Sequence, residues 1–226
     1  MLVGNWMSKE PVSVTADMSM MKASKLMIER KVRRLPVVDD AGKVIGIVTD
    51  RDLKEASPSK ATTLDIHELY YLLSEIKVKD LMTTTLYSVT PGDTVENAAV
   101  IMRDKRIGGL PVVDEAGVLK GMITESDIYR LLIAITGVLE GGFQVALELS
   151  TAPGTLQKVL DMLGERGARI VSLTTYTPEG QDDVRQVFIR VQNMDKAAKN
   201  ALVEELQSQY TVLFVTRDDV PLLRPI

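Results

Sequence analysis

An internal repeat constrains this chain more than any other feature of its sequence. The stretch Gly46-Ile-Val-Thr-Asp-Arg-Asp52 recurs, 75 residues further on, as Gly121-Met-Ile-Thr-Glu-Ser-Asp127. The same offset carries Leu35-Pro-Val-Val-Asp39 onto Leu110-Pro-Val-Val-Asp114. Two units, 3–53 and 78–128, therefore share one fold. Because a unit of about fifty residues buries little core alone, we expect the copies to pack face to face with pseudo-two-fold symmetry.

Each unit is predicted to contain a strand, a helix, a strand, a turn, a strand and a second helix. In the first unit Asp17 or Ser19 is suited to start a helix, and Met20, Ala23 and Met27 follow at helical spacing. Pro36 opens the next strand, at a position where the strand pairing needs no backbone N–H donor. The β-branched run Val44–Val48 has the composition of a buried strand.

The doubled Thr-x-x-Asp motif, Thr49 with Asp52 and Thr124 with Asp127, has two interpretations. In one, the Thr caps the helix and the Asp bonds back to it, as in a capping box. In the other, the Thr hydroxyl and the free N–H groups of the first turn hold an anion, and the Asp accepts hydrogen bonds from a ribose diol. A single copy favours capping, two copies at one offset favour a ligand, and the two roles are compatible.

Composition removes several classes of function. The net charge is −4 and the sequence pI is about 5.2, so no general attraction to nucleic acid or anionic membrane is expected. The chain has no cysteine and a single histidine, His67, which excludes disulfides, thiolate nucleophiles and multi-histidine metal sites. No secretory signal pattern opens the chain, and the apolar run Leu131–Leu139 is too short to cross a bilayer. We therefore expect a cytoplasmic protein without a membrane partner.

Both repeats together resemble a tandem pair of cystathionine-β-synthase (CBS) domains, often called a Bateman module. Both copies carry Leu-Pro-Val-Val-Asp and Gly-x-x-Thr-x-x-Asp, and the resemblance covers residues 1–136. It implies a disc with a cleft that commonly binds adenine nucleotides such as AMP, ADP or ATP, or a related adenosyl compound. It also implies roles for Thr49 and Thr124 at ribose or phosphate, and for Asp52 and Asp127 at the ribose hydroxyls. The implied base pocket is lined near Val14, Thr15, Val89, Thr90, Pro36 and Pro111.

The two repeats differ in charge. Arg33-Arg34 becomes Gly108-Gly109, and Arg51 becomes Ser126. One interpretation of the basic cluster 30–34 is a solvated helix end, where cations suit the helix dipole. The other is a phosphate clamp, to which Arg34 and Arg51 would contribute most, because guanidinium groups match phosphate geometry.

A different domain is predicted after the second repeat. An apolar helix, Ile128–Val138, ends at Gly141-Gly142. The patterns that follow predict a ferredoxin-like βαββαβ order, giving an α/β (α+β) fold overall. The elements are Phe143–Leu149, Thr155–Arg166, Ala168–Tyr176, Val184–Val191, a helix capped by Asp195 and ending at Gln209, and Val212–Thr216.

This segment resembles an ACT domain, a small regulatory module that often binds amino acids. The resemblance rests on Pro153-Gly154, Leu156 and Gly167-x-x-Ile170. It implies an amino-acid site near Thr151 and Gly154, but the family usually has an acid or Asn where this chain has Thr151. The alternative is that Pro153-Gly154 only shapes a helix start. CBS units followed by an ACT domain are similar to the AcuB family of acetoin utilization proteins.

These patterns predict a non-catalytic regulatory protein that senses an adenine nucleotide, with no cofactor and an unknown regulated partner. Phosphate loops of the Gly-x-x-x-x-Gly-Lys type and a Ser-His-Asp set are absent. A nucleotide-dependent enzyme and a nucleic-acid-binding regulator are the alternatives. Exposed sheet edges in the ACT segment predict a homodimer. The expected domains are a first CBS domain at 1–60, a linker helix at 61–77, a second CBS domain at 78–138, an ACT domain at 143–217 and a tail at 218–226.

Overall fold

A computed structural model describes residues 1–56 and 75–217. Residue contacts divide the chain into two units, Met1–Tyr129 and Arg130–Ile226. The first unit contains both repeats. Its helices and strands are α1 (Val3–Trp6), β1 (Val14–Thr15), α2 (Met20–Arg30), β2 (Arg34–Val38), β3 (Val44–Thr49), α3 (Asp50–Glu55), a 3-10 turn (Val78–Asp80), α4 (Val95–Lys105), β4 (Gly109–Val113), β5 (Leu119–Thr124) and the start of α5 (Glu125–Thr136).

The repeat in sequence is a repeat in backbone geometry. Strands β2 and β3 pair antiparallel with Arg34 opposite Thr49, and β4 and β5 pair with Gly109 opposite Thr124. Both hairpins shift register at the same place, before Val38 and before Val113. The helices start alike as well. The hydroxyls of Ser19 and Thr94 cap α2 and α4, so of the two predicted starts, Asp17 and Ser19, it is Ser19 that caps α2.

The two repeats complete each other by exchanging their opening segments. Ser8 of the first repeat pairs with Met122 of the second, and Thr83 of the second pairs with Ile47 of the first. Their central strands also meet: the Val44 N–H donates to Gly117 and the Leu119 N–H to Gly42, at 3.1 and 3.0 Å. These contacts are reciprocal at the 75-residue offset, as the predicted pseudo-two-fold packing requires. Some backbone groups of each repeat therefore find their hydrogen-bond partners only in the other repeat.

The second unit is a four-stranded antiparallel sheet with two helices. It contains a 3-10 turn (Val138–Glu140), β6 (Phe143–Ser150), α6 (Thr155–Glu165), β7 (Ile170–Tyr176), β8 (Val184–Val191), α7 (Lys196–Gln209) and β9 (Thr211–Thr216). The elements follow one another in the βαββαβ order predicted from the sequence, and the strands lie in the sheet in the order β7-β8-β6-β9. Its core includes Leu147, Leu163, Ile189, Leu202 and Leu206.

Two helix ends in this unit follow the sequence prediction. The Asp195 side chain accepts hydrogen bonds from the Ala197 and Ala198 N–H groups at the start of α7. Gly167, at φ +65°, closes α6, and the next N–H bonds back to Leu163 at 2.9 Å. This is a Schellman ending, which needs the left-handed backbone that glycine adopts without steric cost.

Helix α5 differs from the prediction at both ends. It begins at Glu125 instead of Ile128 and ends at Thr136 instead of Val138. Gly137, at φ +61°, ends the helix, whereas the predicted Gly141-Gly142 lies in the connection after the 3-10 turn. The sequence prediction followed the apolar run, which continues past the point where Gly137 turns the backbone.

The C-terminal carbonyl of α5 is held within the second unit. Thr136 O accepts hydrogen bonds from Ser172 Oγ and from Arg190 Nε, both at 2.8 Å. Ser172 and Arg190 are neighbours in the β7–β8 pairing, and Arg190 is 2% exposed. The last carbonyls of a helix have no partner inside the helix, so this pair of donors satisfies one of them.

Some sequence predictions lie outside the described residues. Most of the predicted linker helix Leu64–Ile76, with His67, and the tail Val220–Ile226 belong to this group. Within residues 1–56 and 75–217, no helix has the length and apolar character needed to cross a membrane.

Candidate functional site: a cavity beside Thr124 and Asp127

Both Thr-x-x-Asp motifs form the same hydrogen-bonded turn. Asp52 Oδ2 accepts from the Thr49 N–H and hydroxyl, both at 2.7 Å. Asp127 Oδ2 accepts from the Thr124 N–H and hydroxyl, both at 2.8 Å. The capping interpretation is confirmed at α3, where Thr49 and Asp52 form a complete capping box. Each carboxylate is thus fixed in position through one oxygen, and each hydroxyl already donates to it.

The second of the two motifs, unlike the first, borders a cavity in the first unit. This cavity has a volume of about 540 Å³, within the range of small-molecule sites. The β5–α5 junction supplies Thr124 and Asp127, the start of β2 supplies Arg34, and the exchanged opening segment supplies one wall. The lining residues are Ser8, Glu10, Pro11, Val12, Lys31, Val32, Arg33, Arg34, Gly108, Met122, Thr124, Glu125, Ser126 and Asp127.

Asp127 combines burial with access to the cavity. It is 6% exposed, yet it belongs to the cavity lining. The Thr124 N–H and hydroxyl orient its carboxylate, because both bonds end on Oδ2. A carboxylate fixed in this way is a strong acceptor for hydroxyl donors, since hydrogen bonds to an ionised group are stronger than neutral ones.

The guanidinium of Arg34 lies over the backbone of Gly108 and Gly109. A β-carbon at Gly108 would come within 2.6 Å of Arg34 Nη2, and one at Gly109 would meet Nη1. The buried Nη1 atom has no hydrogen-bond partner within the described residues. Burial lowers the pKa of the Arg34 guanidinium, and the carboxylates of Glu125 and Asp50 oppose that shift. The group nevertheless stays protonated at neutral pH, as arginine does throughout proteins.

The other residues predicted to bind nucleotide lie elsewhere. Thr49 and Asp52 occupy the equivalent junction of the first repeat and are not among the lining residues of this cavity. Arg51 borders a neighbouring cavity of about 460 Å³, together with Arg33 and Asp50. The structure therefore brings together Arg34, Thr124 and Asp127 from the predicted set.

The residues predicted for the base pocket also lie outside this lining. Val14 and Val89 are core residues, 2% and 3% exposed. Pro36 and Pro111 are buried within β2 and β4, while Thr15 and Thr90 are exposed. One wall of the cavity is instead formed by residues from the segment between Ser8 and Val12. The sequence analysis did not predict that this segment lines the site. The repeated Met7 and Met82, at the same offset, were the available signal that these opening segments belong to the repeat.

In the second unit, both residues of the predicted amino-acid site have structural roles. Gly154 lies immediately before α6 with φ +83°. Glycine adopts this left-handed conformation without steric cost because it has no β-carbon. The Thr151 hydroxyl donates to the Asp182 carbonyl at 3.2 Å, and its N–H donates to Asp183 at 3.0 Å. An amino-acid site here stays a prediction. Across the described residues, no group of three or more His, Asp or Glu side chains could hold a metal ion.

Comparison with known proteins places the two repeats in one family. The family model for the CBS domain matches residues 3–59 and 78–134. A CBS domain-containing protein of Dictyostelium discoideum is 37% identical over 134 residues, which cover 59% of this chain and 92% of that protein. Inosine-5′-monophosphate dehydrogenase of Nitrosopumilus maritimus is 32% identical over 125 residues, covering 55% of this chain and 23% of the enzyme.

Two solved structures resemble the same part of the chain. A candidate acetoin utilization protein (AcuB) from Vibrio cholerae is 31% identical with a TM-score of 0.51, and the match covers 62% of this chain and 96% of that one. CBSX2, known from Arabidopsis thaliana, has been solved in complex with AMP. It is 33% identical with a TM-score of 0.50, and the match covers 60% of this chain and 98% of that one.

The extent of these matches decides what they establish. The chain spans nearly all of the Dictyostelium protein but only about a quarter of the dehydrogenase, so that enzyme's activity does not carry over. The two CBS matches together cover half of this chain, with both copies of the repeat inside them. This protein belongs to the CBS domain family and carries the domain as a tandem pair.

Proposed function

We propose that this chain is a regulatory protein that binds an adenine nucleotide, or a related adenosyl compound, in its CBS pair. The observation that carries the proposal is the convergence of Thr124, Asp127 and Arg34 on one cavity of about 540 Å³. The structure of the relative CBSX2 in complex with AMP supports an adenosine ligand for a pair of this kind.

Each of the three residues has a distinct part in the proposal. The buried Asp127 carboxylate accepts hydrogen bonds from the ribose hydroxyls. Thr124 orients that carboxylate through the two bonds at 2.8 Å. The Arg34 guanidinium faces the negative charge of the nucleotide, because a guanidinium fork matches the oxygens of a phosphate. By the repeat, Thr49, Asp52 and Arg51 are proposed to serve an equivalent cleft.

A thermal-shift panel tests this function. AMP, ADP, ATP, adenosyl-methionine and amino acids are added separately to the pure chain, with GMP and UMP as matched controls that keep the ribose and phosphate. An adenine ligand present at one hundred times its dissociation constant should stabilise the fold by about 2.7 kcal/mol. If every adenine compound leaves the melting temperature unchanged at millimolar concentration, the proposed function is wrong.

The proposal assigns no chemical step to the chain. CBS pairs occur as segments of longer enzymes such as the dehydrogenase relative, where the match covers 23% of the enzyme. The likeness to the Vibrio cholerae structure supports acetoin utilization as the context of regulation. Sustained hydrolysis of a nucleotide by highly pure protein, abolished by one substitution, would contradict the non-catalytic role.

We also propose that the C-terminal unit is an ACT domain coupled to the nucleotide site through α5. The helix begins beside Thr124, and its last carbonyl is bonded to Ser172 and Arg190 of the second unit. A ligand that binds Asp127 therefore contacts the first turn of a helix whose last carbonyl is hydrogen-bonded to β7 and β8. Coupling energies of this kind are typically about 1–3 kcal/mol.

Hydrogen exchange measures that coupling. Saturating AMP should change the protection of 128–138 and also of the β6 segment 143–156. The exposed α2 C-terminus at Arg30 serves as an internal reference. Changes that stop before residue 130 would mean that the second unit responds independently.

A homodimer is the third element of the proposal. The edge strands of the second sheet are β7 and β9, and they expose Ile170, Tyr176, Leu213 and Phe214. Unpaired edge groups and exposed apolar side chains favour association with a second copy across a two-fold axis. Light scattering should give about twice the chain mass of 24.9 kDa at micromolar concentration. A monomer mass under these conditions would overturn the dimer.

A further inference from the structure

Two methionines at the repeat offset, Met7 and Met82, each lie against a glycine of the other repeat. A β-carbon at Gly121 would come within 2.6 Å of Met7 Sδ, and one at Gly46 would meet the side chain of Met82. Both methionines are partly exposed. An unbranched thioether adapts its shape to an irregular gap, so it packs well against a bare backbone. The two contacts are equivalent parts of the exchange of opening segments.

The Met7 contact lies immediately before the cavity wall that begins at Ser8. The Ser8 N–H donates to the Met122 carbonyl at 2.9 Å, and the Met122 N–H donates to the Ser8 carbonyl at 3.0 Å. A β-carbon at Gly121 would lie 2.7 Å from the same Ser8 carbonyl. Glycine at 121 therefore permits this close approach of the two backbones. Ser8 and Met122 both line the cavity of about 540 Å³.

The residues before Met7 are fixed on the second repeat as well. The Val3 N–H donates to the Asp93 carbonyl at 2.9 Å, and the Gly4 N–H donates to the Pro91 carbonyl at 3.0 Å. Val3 is fully buried. The wall formed by residues 8–12 thus leaves an anchored segment, and Met7 is the side chain that packs on β5 at the point of departure.

The equivalent contact of Met82 lies away from this cavity. Thr83 exchanges backbone hydrogen bonds with Ile47 at 2.9 and 3.0 Å, as Ser8 does with Met122. Met82, Thr83 and Ile47 are not among the lining residues of the cavity. Loss of either methionine should therefore have a similar effect on the packing of the pair, but of the two it is Met7 that adjoins the cavity wall.

We propose that Met7 is a positioning residue for the nucleotide cavity, because its thioether holds the wall of residues 8–12 against β5. The inference rests on the proposed function and adds to that site a residue outside the cavity lining. A wall that is fixed before binding costs the ligand less ordering free energy than one that is ordered on binding. Met7 therefore contributes to affinity through preorganisation of the wall and not through contact with the ligand.

The test is a titration of the full chain with AMP, followed by hydrogen exchange of residues 121–127. The AMP concentration that gives half-maximal protection of this segment reports the affinity at this cavity, whatever binds in the equivalent cleft. Met7→Ala should raise that concentration about tenfold and should speed the exchange of the Ser8 and Met122 amides without ligand. Met7→Leu, with a side chain of similar volume, should restore both values to within about twofold of wild type.

Met82→Ala is the matched control, because it removes the equivalent contact at Gly46. It should lose about as much stability in urea denaturation as Met7→Ala, while the half-maximal AMP concentration stays that of the wild type. Gly121→Ala is an independent variant that keeps Met7. Its β-carbon would meet the Ser8 carbonyl, a backbone atom that cannot rotate away, so the wall is displaced and AMP binding should weaken.

The outcomes separate this inference from the proposed function. If Met7→Ala and Met82→Ala have the same half-maximal AMP concentration, or if Met7→Ala leaves the exchange of Ser8 and Met122 unchanged, Met7 does not position the wall, and nucleotide binding still stands. AMP that protects none of residues 121–127 in the wild type would contradict the nucleotide site itself, and the inference with it. Weaker binding in Met7→Ala and Gly121→Ala, with Met7→Leu and Met82→Ala like the wild type, supports the assignment.

Discussion

Replacing Asp127 with alanine is expected to weaken AMP binding by roughly 1.5–3 kcal/mol, or about tenfold to one hundredfold. The carboxylate is buried beside the cavity and oriented by Thr124, so its removal takes away the proposed acceptor for the ribose hydroxyls. Calorimetric titration of AMP into the variant measures the effect. Because Asp127 also bonds back to the start of α5, the variant should lose stability as well, by about 1 kcal/mol.

Asp52→Ala separates the binding effect from the capping effect. Asp52 makes the same bonds to Thr49 that Asp127 makes to Thr124, but it does not line the 540 Å³ cavity. The two variants should therefore lose similar stability in urea denaturation, while Asp127→Ala loses far more affinity at this cavity. Equal AMP affinity in wild type and Asp127→Ala would show that Asp127 does not contribute to AMP binding.

Replacing Arg190 with alanine is expected to destabilise the second unit by at least about 2 kcal/mol. The side chain is 2% exposed and donates to the Thr136 carbonyl at 2.8 Å, so the variant loses a charge-assisted bond and its buried packing. The measurement is the opening free energy of β8, obtained from native-state hydrogen exchange of 184–191.

Two further variants grade this effect. Ser172→Ala removes the other donor to Thr136 and should cost about 1 kcal/mol, as a neutral hydrogen bond does. Arg185→Ala removes the same type of side chain from the same strand at a partly exposed position, and should cost less than Arg190→Ala. Similar losses for Arg185→Ala and Arg190→Ala would mean that the bond to Thr136 contributes little.

The sequence was most informative where it repeats or where a local rule applies. The 75-residue offset predicted two equivalent hairpins, and the paired registers Arg34–Thr49 and Gly109–Thr124 agree with it. The strand and helix order of the second unit was also predictable, because its periodicities change at clear turn residues. Helix ends at Gly167 and Asp195 followed from local backbone and capping chemistry.

Long-range pairing was not visible in the sequence. The exchange of opening segments, with Ser8 beside Met122, joins residues more than a hundred positions apart, and hydrophobic period carries no information on such partners. For the same reason the wall formed by residues 8–12 was missed. The difference Arg33-Arg34 against Gly108-Gly109 was apparent from the start, but only the folded chain brings the arginine onto the glycines.

A crystal structure of the chain grown with AMP tests the central claim most directly. The account predicts AMP in the cavity of the first unit, with its ribose hydroxyls on the Asp127 carboxylate and its phosphate on the Arg34 guanidinium. AMP bound away from Thr124, Asp127 and Arg34, or a cavity without AMP at a concentration that saturates binding in solution, would contradict it.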